Sequence, residues 1–585
     1  MRVAAPPVLS RRVTWSASLV ALSPLAFVPG GFVRFVFPTL LVVAAAVLLV
    51  ASTVRGGRLP RPVIWCLLVG GIILALSALL SSSPLGAVFG RWPRYEGVFA
   101  LGLYIASAWL GAHLLGGRTD RRVSDVFLRA IAASAVVLAA ASVADAFGFS
   151  LVGTTDAERS GALLGNATDQ GTIAMVSVAL LLRPAIMTRR WWLGLGVASG
   201  VLVVALSGSR AAIGATIVVV VIQAVMSAPS VRRPALGVLA VVVGAVAALP
   251  QARDRLAGFH TVTGRSLLWQ ESLSLDADHP ALGVGPSGFL DTIGRYHDDD
   301  WVAKVGVANP PDSPHSWVLQ AASAGGIPLM LASLALAAVV LMLGWRAVRS
   351  AGEDPFALGA WTATIGYGLV LLTHFTIAGT TCLVAFLVGA LVAVPARPSP
   401  PAMRRSAAVL AAVAIVITAA ASLAEVSIQN AVTAASQGRV ADADNDFDTA
   451  QALRPWDVDI AMIAAQSFAG AASNGSAAAV PAATKWAQRS LDHVPRSTTS
   501  AVALASVLLI EGRSDAALVL LDPVVSRDPT DANARIQRAV AKFAARDVDG
   551  ARSDLRYAQK LLPGDPLPGE LLAQIDARAG APPGS

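Results

Sequence analysis

Two arginines and one histidine, far apart in the chain, have the side chains that a reaction on a phosphorylated substrate requires. Arg210 lies in LSGSRAAIGA, where a Gly-Ser turn precedes an apolar segment, so we expect it at a helix start with free N–H groups. Arg265 lies in GRSLLW, and His315 lies in NPPDSPHSW directly before another apolar segment. An arginine beside a helix N-terminus suits phosphate, and a neutral histidine can remove a proton.

Each of these three residues also has an ordinary structural explanation. Arg210 could extend its side chain to the membrane interface, which costs little at a helix end. Arg265 could contact lipid phosphate, with Trp269 of the same GRSLLW turn at headgroup depth. His315 could simply bond to the backbone at the start of a helix. The residue types alone leave both kinds of interpretation open.

Further polar groups precede apolar segments elsewhere in the chain. They occur in FGRWPRYEGVFALGLY and in RSGALLGNATDQGTIAM, and LLTHFT places a histidine near the end of an apolar segment. An ionisable residue within or beside a membrane span is a candidate for function. We therefore predict a substrate-binding set made of Arg91, Arg94, Tyr95, Glu96, Asn166, Trp269 and His374.

Composition identifies the kind of protein that must position these residues. The 585 residues are 55% hydrophobic and only 14% charged, with a mean hydropathy of +0.63, whereas soluble domains have about 25% charged residues. The sequence therefore predicts a polytopic membrane protein. Its net charge of +8 does not indicate a nucleic-acid partner, because most arginines lie in short loops, where they set orientation. Cys66 and Cys382 lie in apolar runs without metal-ligand spacing, so we expect neither a metal site nor a cofactor.

Thirteen apolar segments are candidates to cross the membrane, since a spanning helix needs about 20 residues. They lie near residues 13–29, 32–54, 62–80, 97–116, 123–147, 170–188, 191–208, 211–228, 234–250, 316–345, 356–376, 378–394 and 405–424. With a cytoplasmic N-terminus, the six even-numbered connections are all rich in arginine, as the positive-inside rule requires. We predict an all-α bundle of about 12–13 spans over residues 1–424, in which 356–394 forms either two spans or one re-entrant unit.

This topology places the candidate residues on the outer face, together with a long polar insert at residues 251–315. A loop of this length in a compact protein is usually functional or disordered. Its tryptophan, phenylalanine, leucine and proline content argues against disorder. We therefore expect an ordered, functional extracytoplasmic loop.

The remainder of the chain has a repeating pattern. Prolines recur at spacings of 40, 34 and 34 residues, each after an Ala-rich helical stretch, at Pro455, Pro495, Pro529 and Pro563. A 34-residue helix–turn–helix unit with a terminal proline resembles the tetratricopeptide repeat. Gly438 and Gly512 mark turns inside two units, and 470–483 interrupts one. We predict extracytoplasmic helical repeats at 425–575, serving as a docking surface or spacer without catalysis, and a disordered tail at 576–585.

Five motifs on the predicted outer face, taken together, resemble the O-antigen ligase and polymerase family of membrane glycosyltransferases. In chain order they are RYEG, LLGNATDQG, SGSRAA, GRSLLW followed by HPALGVGPSGF, and PHSWVLQAASAGGIP, and the resemblance covers roughly residues 60–395. The resemblance implies catalytic roles for Arg210, Arg265 and His315. The additional final span and the repeats depart from the family pattern. We therefore expect the acceptor-binding part of this protein to differ from that of the family.

The resemblance also implies the substrates. The donor would be a polyprenyl-pyrophosphate-linked glycan, and the acceptor would be a hydroxyl of a glycan, lipid or protein on the outer face of the cytoplasmic membrane. The two arginines would neutralise the pyrophosphate in place of a metal ion, and no nucleotide would be needed, which fits the lack of a Walker motif. Membrane lipids surround the bundle, and the repeats offer a surface for protein partners.

Several alternatives remain at this point. Within the same class, the chain could polymerise repeat units on one lipid carrier, or it could be a protein O-oligosaccharyltransferase. Outside this class, it could be a secondary transporter, although its two halves show no internal similarity and its polar residues cluster at one face. It could also be a non-enzymatic scaffold that recruits envelope proteins through its repeats.

Overall fold

The computed structural model describes residues 11–53, 56–116, 121–149, 163–248, 260–307, 311–352, 354–395 and 401–579. Its architecture is helical, as predicted. In the described residues the only strands are β1 (Gly57–Arg58) and β2 (Val394–Pro395), which form a short antiparallel pair.

Thirteen helices coincide with the thirteen predicted apolar segments. They are α1 (Arg11–Leu22), α2 (Val36–Ala51), α3 (Arg61–Leu80), α5 (Val98–Leu115), α6 (Arg121–Ala146), α7 (Ala167–Thr188), α8 (Trp191–Ser207), α9 (Arg210–Val225), α10 (Pro229–Ala248), α13 (Trp317–Ser350), α14 (Pro355–Val370), α15 (Ala378–Val392) and α16 (Pro401–Ser436). Among the described helices, seven are long and apolar enough to cross a membrane, namely α3, α5, α6, α7, α10, α13 and α16. The other described helices are shorter. The prediction of a multi-span helical bundle is confirmed, and seven of the described helices meet the length requirement by themselves.

Helix α7 forms the centre of the bundle. It packs between α8 and α14, and also contacts α9, and most of its side chains are buried. Helix α3 lies at the periphery, where Trp65, Leu79 and Leu80 each expose more than half of their surface. Exposed apolar residues of this size on a spanning helix are expected to face lipid.

Helix α13 is broken near its N-terminal end. Gly325 and Gly326 have non-helical backbone angles, and Gly326 has φ +71° and ψ −174°, a conformation that is essentially restricted to glycine. The loop 279–285, HPALGVG, supplies replacement backbone bonds: the N–H of Ile327 donates to Pro280 at 2.9 Å, and that of Val284 donates to Ser323 at 2.7 Å. A backbone break at this depth needs such partners, so the loop and the broken helix form one unit.

The described part of the outer insert is a small folded layer, as expected. It contains α11 (His260–Asp278) and α12 (Asp299–Lys304). These helices share a core made of Leu268, Leu275, Phe289, Ile293 and Trp301. GRSLLW, which we expected to be a surface turn, lies within the 19-residue helix α11. Residues 251–259 and 308–310 lie outside the described residues.

The C-terminal region consists of antiparallel helix pairs, which agrees with the predicted repeats. The helices are α17 (Val440–Leu453), α18 (Asp459–Ser473), α19 (Ala479–His493), α20 (Thr498–Ile510), α21 (Ser514–Arg527), α22 (Ala532–Ala544), α23 (Val548–Leu561) and α24 (Leu567–Ala579). The four spaced prolines directly follow α17, α19, α21 and α23. Segment 470–483 does not interrupt a unit, because α18 and α19 form a complete hairpin there with a turn at 474–478.

The repeats begin inside the last membrane helix. Helix α16 continues unbroken through residue 424, our expected boundary, and its C-terminal part packs against α17. Ile428 and Ala431 of α16 are fully buried in the core of the repeats, with Phe447 and Trp486. One rigid helix therefore connects the bundle to the first repeat. The predicted tail also starts later than expected, because α24 extends to Ala579, and the residues after it lie outside the described part.

The break in α13 generates a stability prediction. In Gly326→Ala the new Cβ would lie 2.5 Å from the backbone carbon of Ala281, and the strained backbone alone costs about 1–3 kcal/mol. We expect a clearly lower melting temperature for the detergent-solubilised protein. The matched control is Gly368→Ala in α14, where nothing lies within 4 Å of the new Cβ. Equal melting temperatures for the two variants would show that the break is not constrained as described.

Candidate functional site

His315 stands on the turn that leads into α13. Its backbone is left-handed, with φ +49°. Two residues later, the backbone N–H of Trp317 donates to the carbonyl of Leu371 at 3.0 Å. The imidazole lies 5.1 Å from the Phe375 ring and 6.3 Å from the His374 ring, measured between centroids. The side chain therefore packs against the turn between α14 and α15.

The surroundings of His315 favour a neutral imidazole. Burial lowers its pKa to about 4, and the nearby His374 acts in the same direction. The positive charges of Arg265 and Arg94 also lower this pKa, while Asp312 opposes them. Among the residues that the structure describes, the buried Nδ1 atom of His315 has no hydrogen-bond partner. A neutral imidazole has one nitrogen that accepts a hydrogen bond, so His315 has the form that a proton acceptor requires.

His374 is fixed by a carboxylate. Its Nε2 lies 2.9 Å from Oδ1 of Asp169, in the first turn of α7, and only 4% and 3% of these two residues are exposed. A histidine bonded in this way has a defined ring orientation. Asp169 was not in the predicted set, because the sequence does not reveal which residue faces an acidic group near a helix start.

Arg210 and Arg265 come from different elements and lie within each other's electrostatic influence. Arg210 is the first residue of α9, where the Ser209 hydroxyl caps the helix by accepting from the Ala212 N–H at 3.4 Å. Arg265 is half-buried on α11, and burial lowers its pKa, with the charge of Arg210 as the second cause. Within the described residues, no acidic group contributes to this shift. The two guanidinium groups are therefore close enough for their charges to interact.

Arg94 links the loop before α5 to the turn that carries His315. Its Nε lies 3.1 Å from the Asp312 carboxylate, and its Nη2 donates to the Asp312 carbonyl at 3.0 Å. The guanidinium also pairs with Glu96 at 3.3 Å and lies 5.1 Å from the Phe375 ring centroid. Burial raises the pKa of Glu96, although Arg94 opposes this. Arg94 and Glu96 thus hold the site's walls in place, and Asp312 is a partner that sequence reasoning missed.

Trp269 and Asn166 have structural contacts at the edge of this region. The indole N–H of Trp269 donates to the carbonyl of Pro314 at 3.0 Å, which ties α11 to the His315 turn. This bond replaces the headgroup contact that we expected. The side chain of Asn166 accepts from the Thr168 N–H at 2.8 Å and caps α7. Both contacts orient elements that carry site residues.

Arg91 and Tyr95, which we predicted to bind substrate, contact the repeats in the structure. Arg91 is paired with Asp291 of the outer insert at 2.6 Å and with Asp459 of the repeats at 2.7 Å. Tyr95 is only 2% exposed, and the guanidinium of Arg454 lies 5.1 Å from its ring centroid. Both side chains are fully occupied by packing between the membrane bundle and the repeats.

The arrangement has one clear chemical capability. Two arginines close enough to repel each other favour a ligand with several negative charges. A neutral histidine, His315, lies within the electrostatic influence of one of them, Arg265. Arg94 and His374 border the same region. Within the described residues, no group of three or more His, Cys, Asp or Glu side chains is arranged to hold a metal ion.

Comparison with curated proteins finds no match. Two similar solved structures are a MamA mutant, with 21% identity, a TM-score of 0.22 and coverage of 26% of this chain and 86% of that one, and the APC/C hetero-tetramer Cut9-Hcn1, with 13% identity, a TM-score of 0.23 and coverage of 91% and 84%. Such low TM-scores do not establish a shared fold.

The comparison with family models is the informative one. Residues 195–334 match the model described as O-Antigen ligase. This range includes Arg210, Arg265 and His315, together with the broken part of α13. The match supports a role in membrane glycosyl transfer during polysaccharide assembly. The chain is therefore a multi-pass helical membrane protein in which residues 195–334 match the O-Antigen ligase family model, followed by tetratricopeptide-like helical repeats.

Proposed function

We propose that this protein transfers a glycan from a polyprenyl-pyrophosphate carrier to an acceptor hydroxyl on the outer face of the cytoplasmic membrane. The N-terminus would lie in the cytoplasm, and the repeats would lie outside. The single observation that carries this proposal is that Arg265 lies within the electrostatic influence of Arg210 and itself influences His315, whose surroundings favour the neutral imidazole. A pyrophosphate leaving group and an attacking alcohol need these two kinds of side chain.

The arginines would bind the leaving group. As the bond between the anomeric carbon and the pyrophosphate oxygen breaks, its electron pair goes to that oxygen and negative charge accumulates there. Arg210 and Arg265 would stabilise the transition state, in which this charge develops, more strongly than the ground state. This difference is the condition for catalysis. The charge of Arg210 disfavours the charged form of Arg265, so binding of an anionic diphosphate beside Arg265 would offset that repulsion.

His315 would accept the proton of the attacking hydroxyl. The acceptor oxygen forms a bond to the anomeric carbon from the side opposite the pyrophosphate, so a single displacement inverts that centre. The imidazole is neutral at physiological pH, because burial lowers its pKa, and it can therefore act without first losing a proton. His374, held by Asp169 at 2.9 Å, would fix the packing of the His315 ring.

The same chemistry serves three acceptors. A ligase would transfer the glycan to a new molecule, a polymerase would extend the glycan on its lipid carrier, and a protein O-oligosaccharyltransferase would use a protein hydroxyl. Incubation with a defined lipid-linked repeat unit separates them, since only a polymerase produces ladders on the lipid. The repeats offer a surface on which a protein acceptor would be presented.

The broken helix α13 is the one feature that a secondary transporter would share. In transporters the exposed backbone groups of broken helices coordinate the substrate or ion. Here the N–H of Ile327 bonds to Pro280 and the carbonyl of Ser323 accepts from Val284. These groups are occupied by the loop 279–285, which favours a structural role for the break over a transport site.

The first test concerns Arg265. We expect Arg265→Gln to lower the turnover of a lipid-linked glycan by on the order of 10²–10³-fold, the usual effect of removing one group that stabilises developing charge. Arg265→Lys should retain part of the activity, because it keeps the charge and loses the planar fork. Transfer to acceptor would be measured with purified protein in detergent.

Arg190→Gln is the matched control for Arg265→Gln. Arg190 is an exposed arginine paired with Asp125 at 3.2 Å, well outside the site. Its removal should leave turnover unchanged. Normal transfer by Arg265→Gln, in protein that folds and inserts normally, would remove Arg265 from the proposed mechanism.

The second test is the pH dependence of kcat/KM. A base is active when deprotonated, so activity is lost as the pH falls through the pKa of His315. Burial lowers this pKa to about 4, and His374, Arg265 and Arg94 act in the same direction, while Asp312 opposes them. We therefore expect the acidic limb of the profile near pH 4. An ordinary histidine would give a limb near about 6.5. A wild-type midpoint near the ordinary value, or an unchanged profile in His315→Gln, would argue against His315 as the base.

A further inference from the structure

A network of buried charges joins the first repeat to the loop 90–97, which precedes α5. Asp459, the first residue of α18, accepts from the Arg91 Nε at 2.7 Å and from the Trp92 backbone N–H at 2.7 Å. Arg91 also donates to Asp291 of the outer insert at 2.6 Å. Arg91 and Asp459 are 5% and 1% exposed. Three separate parts of the chain thus meet at one guanidinium group.

The electrostatics of this contact require both partners. Burial by itself would lower the pKa of Arg91, but Asp459 and Asp291 outweigh it and raise the pKa. Burial likewise raises the pKa of Asp459 to about 6, although Arg91 opposes this shift. Removing one partner of a buried ion pair strongly destabilises the folded protein, because the other charge is left buried and unpaired. The pair therefore constrains the position of the loop that carries Arg91.

A second buried cluster lies beside the first. Arg454, in the turn after α17, donates to Glu425 of α16 at 2.9 Å. Its guanidinium lies 5.0 Å from the ring centroid of Phe37 and 5.1 Å from that of Tyr95. Stacking of this kind orients the guanidinium and the rings. The first repeat thus contacts the loop 90–97 at Tyr95 as well as at Arg91.

The same loop reaches the candidate site on its other side. Arg94 lies three residues after Arg91, and it pairs with Asp312 at 3.1 Å. Asp312 belongs to the turn that ends at Ser316 and carries His315. Only the short segment between Arg91 and Arg94 separates a contact with the repeats from a contact with the His315 turn.

We propose that Asp459 of the first repeat is a positioning residue for the reaction, acting through Arg91 and Arg94 on the turn that carries His315. The proposal deepens the proposed function and rests on it for the reaction itself. In this arrangement the repeats complete the active site from outside the membrane bundle. They are not only a docking surface or a spacer.

The experiment uses full-length Asp459→Asn protein in detergent. Asparagine has nearly the same shape and can still accept a hydrogen bond, but it removes the charge that holds Arg91. We expect faster amide hydrogen exchange in peptides that cover residues 90–97 and 311–317, measured by mass spectrometry. With lipid-linked glycan as the donor, we expect kcat to fall on the order of 10–100-fold, the effect of a small misplacement, with little change in KM.

Asp554→Asn is the matched control. Asp554 is equally buried in the repeats and pairs with Arg535, Arg538 and Lys542, without contact to the loop 90–97. It should leave both peptides and kcat unchanged. An equal loss of activity in Asp554→Asn would indicate general destabilisation of the repeats and would overturn the proposal. Wild-type exchange and kcat in folded Asp459→Asn protein would overturn it too.

Two further measurements keep the test decisive. If Asp459→Asn does not fold, Arg91→Lys takes its place, since it keeps the charge and cannot form the same two bonds. The same two peptides should then exchange faster, and unchanged exchange overturns the proposal. In the double variant Arg91→Gln/Asp459→Asn the loss of kcat should be no greater than in the worse single variant. If wild-type protein transfers no glycan, the proposed function fails, while the exchange data still decide whether the repeats position the His315 turn.

Discussion

The ion pair between Arg94 and Asp312 is the interaction on which the candidate site depends. It joins the loop before α5 to the turn before α13, at 3.1 Å between Nε and the carboxylate and with a second bond to the Asp312 carbonyl. A guanidinium that makes two bonds to one residue fixes orientation as well as distance. The turn it holds carries His315 in a left-handed conformation, which would not persist without such support.

A second constraint comes from the hydrogen bonds that a broken helix must replace. The break at Gly325 and Gly326 leaves backbone groups without helical partners, and the loop 279–285 pairs with them. The side chain of Ser77 contributes as well, by donating to the carbonyls of Leu282 and Ala324 at 2.7 Å each. The outer insert is therefore attached to the membrane bundle by its backbone, and α11 carries Arg265 from this fixed base.

The buried and half-buried arginines have charged neighbours of different sign. Around Arg91 and Arg454 every guanidinium is matched by carboxylates, as buried ions require. Around Arg265 the neighbouring charge is that of another arginine, and within the described residues no acid contributes to its pKa. The arginines of the structural network and Arg265 of the proposed anion-binding site therefore differ in the sign of the neighbouring charges. Arginine is used in both, and only its partners distinguish the two roles.

Much of the architecture follows from local sequence. Apolar segments coincide with helices because a membrane requires backbone bonds within each segment, and the spaced prolines follow repeat helices because proline cannot continue them. The motif resemblance also selected Arg210, Arg265 and His315, and in the structure Arg265 lies within the electrostatic influence of Arg210 and itself influences His315.

The sequence by itself determined the helical membrane bundle, the repeats and the types of residue available for chemistry, since these depend on periodicity and composition. Tertiary structure alone decided which polar residues face each other. It assigned Arg91 and Tyr95 to the contact with the repeats, paired His374 with Asp169, and ran α16 through the expected boundary at 424. Such pairings join residues up to several hundred positions apart, and nothing in the local sequence of either partner specifies the other.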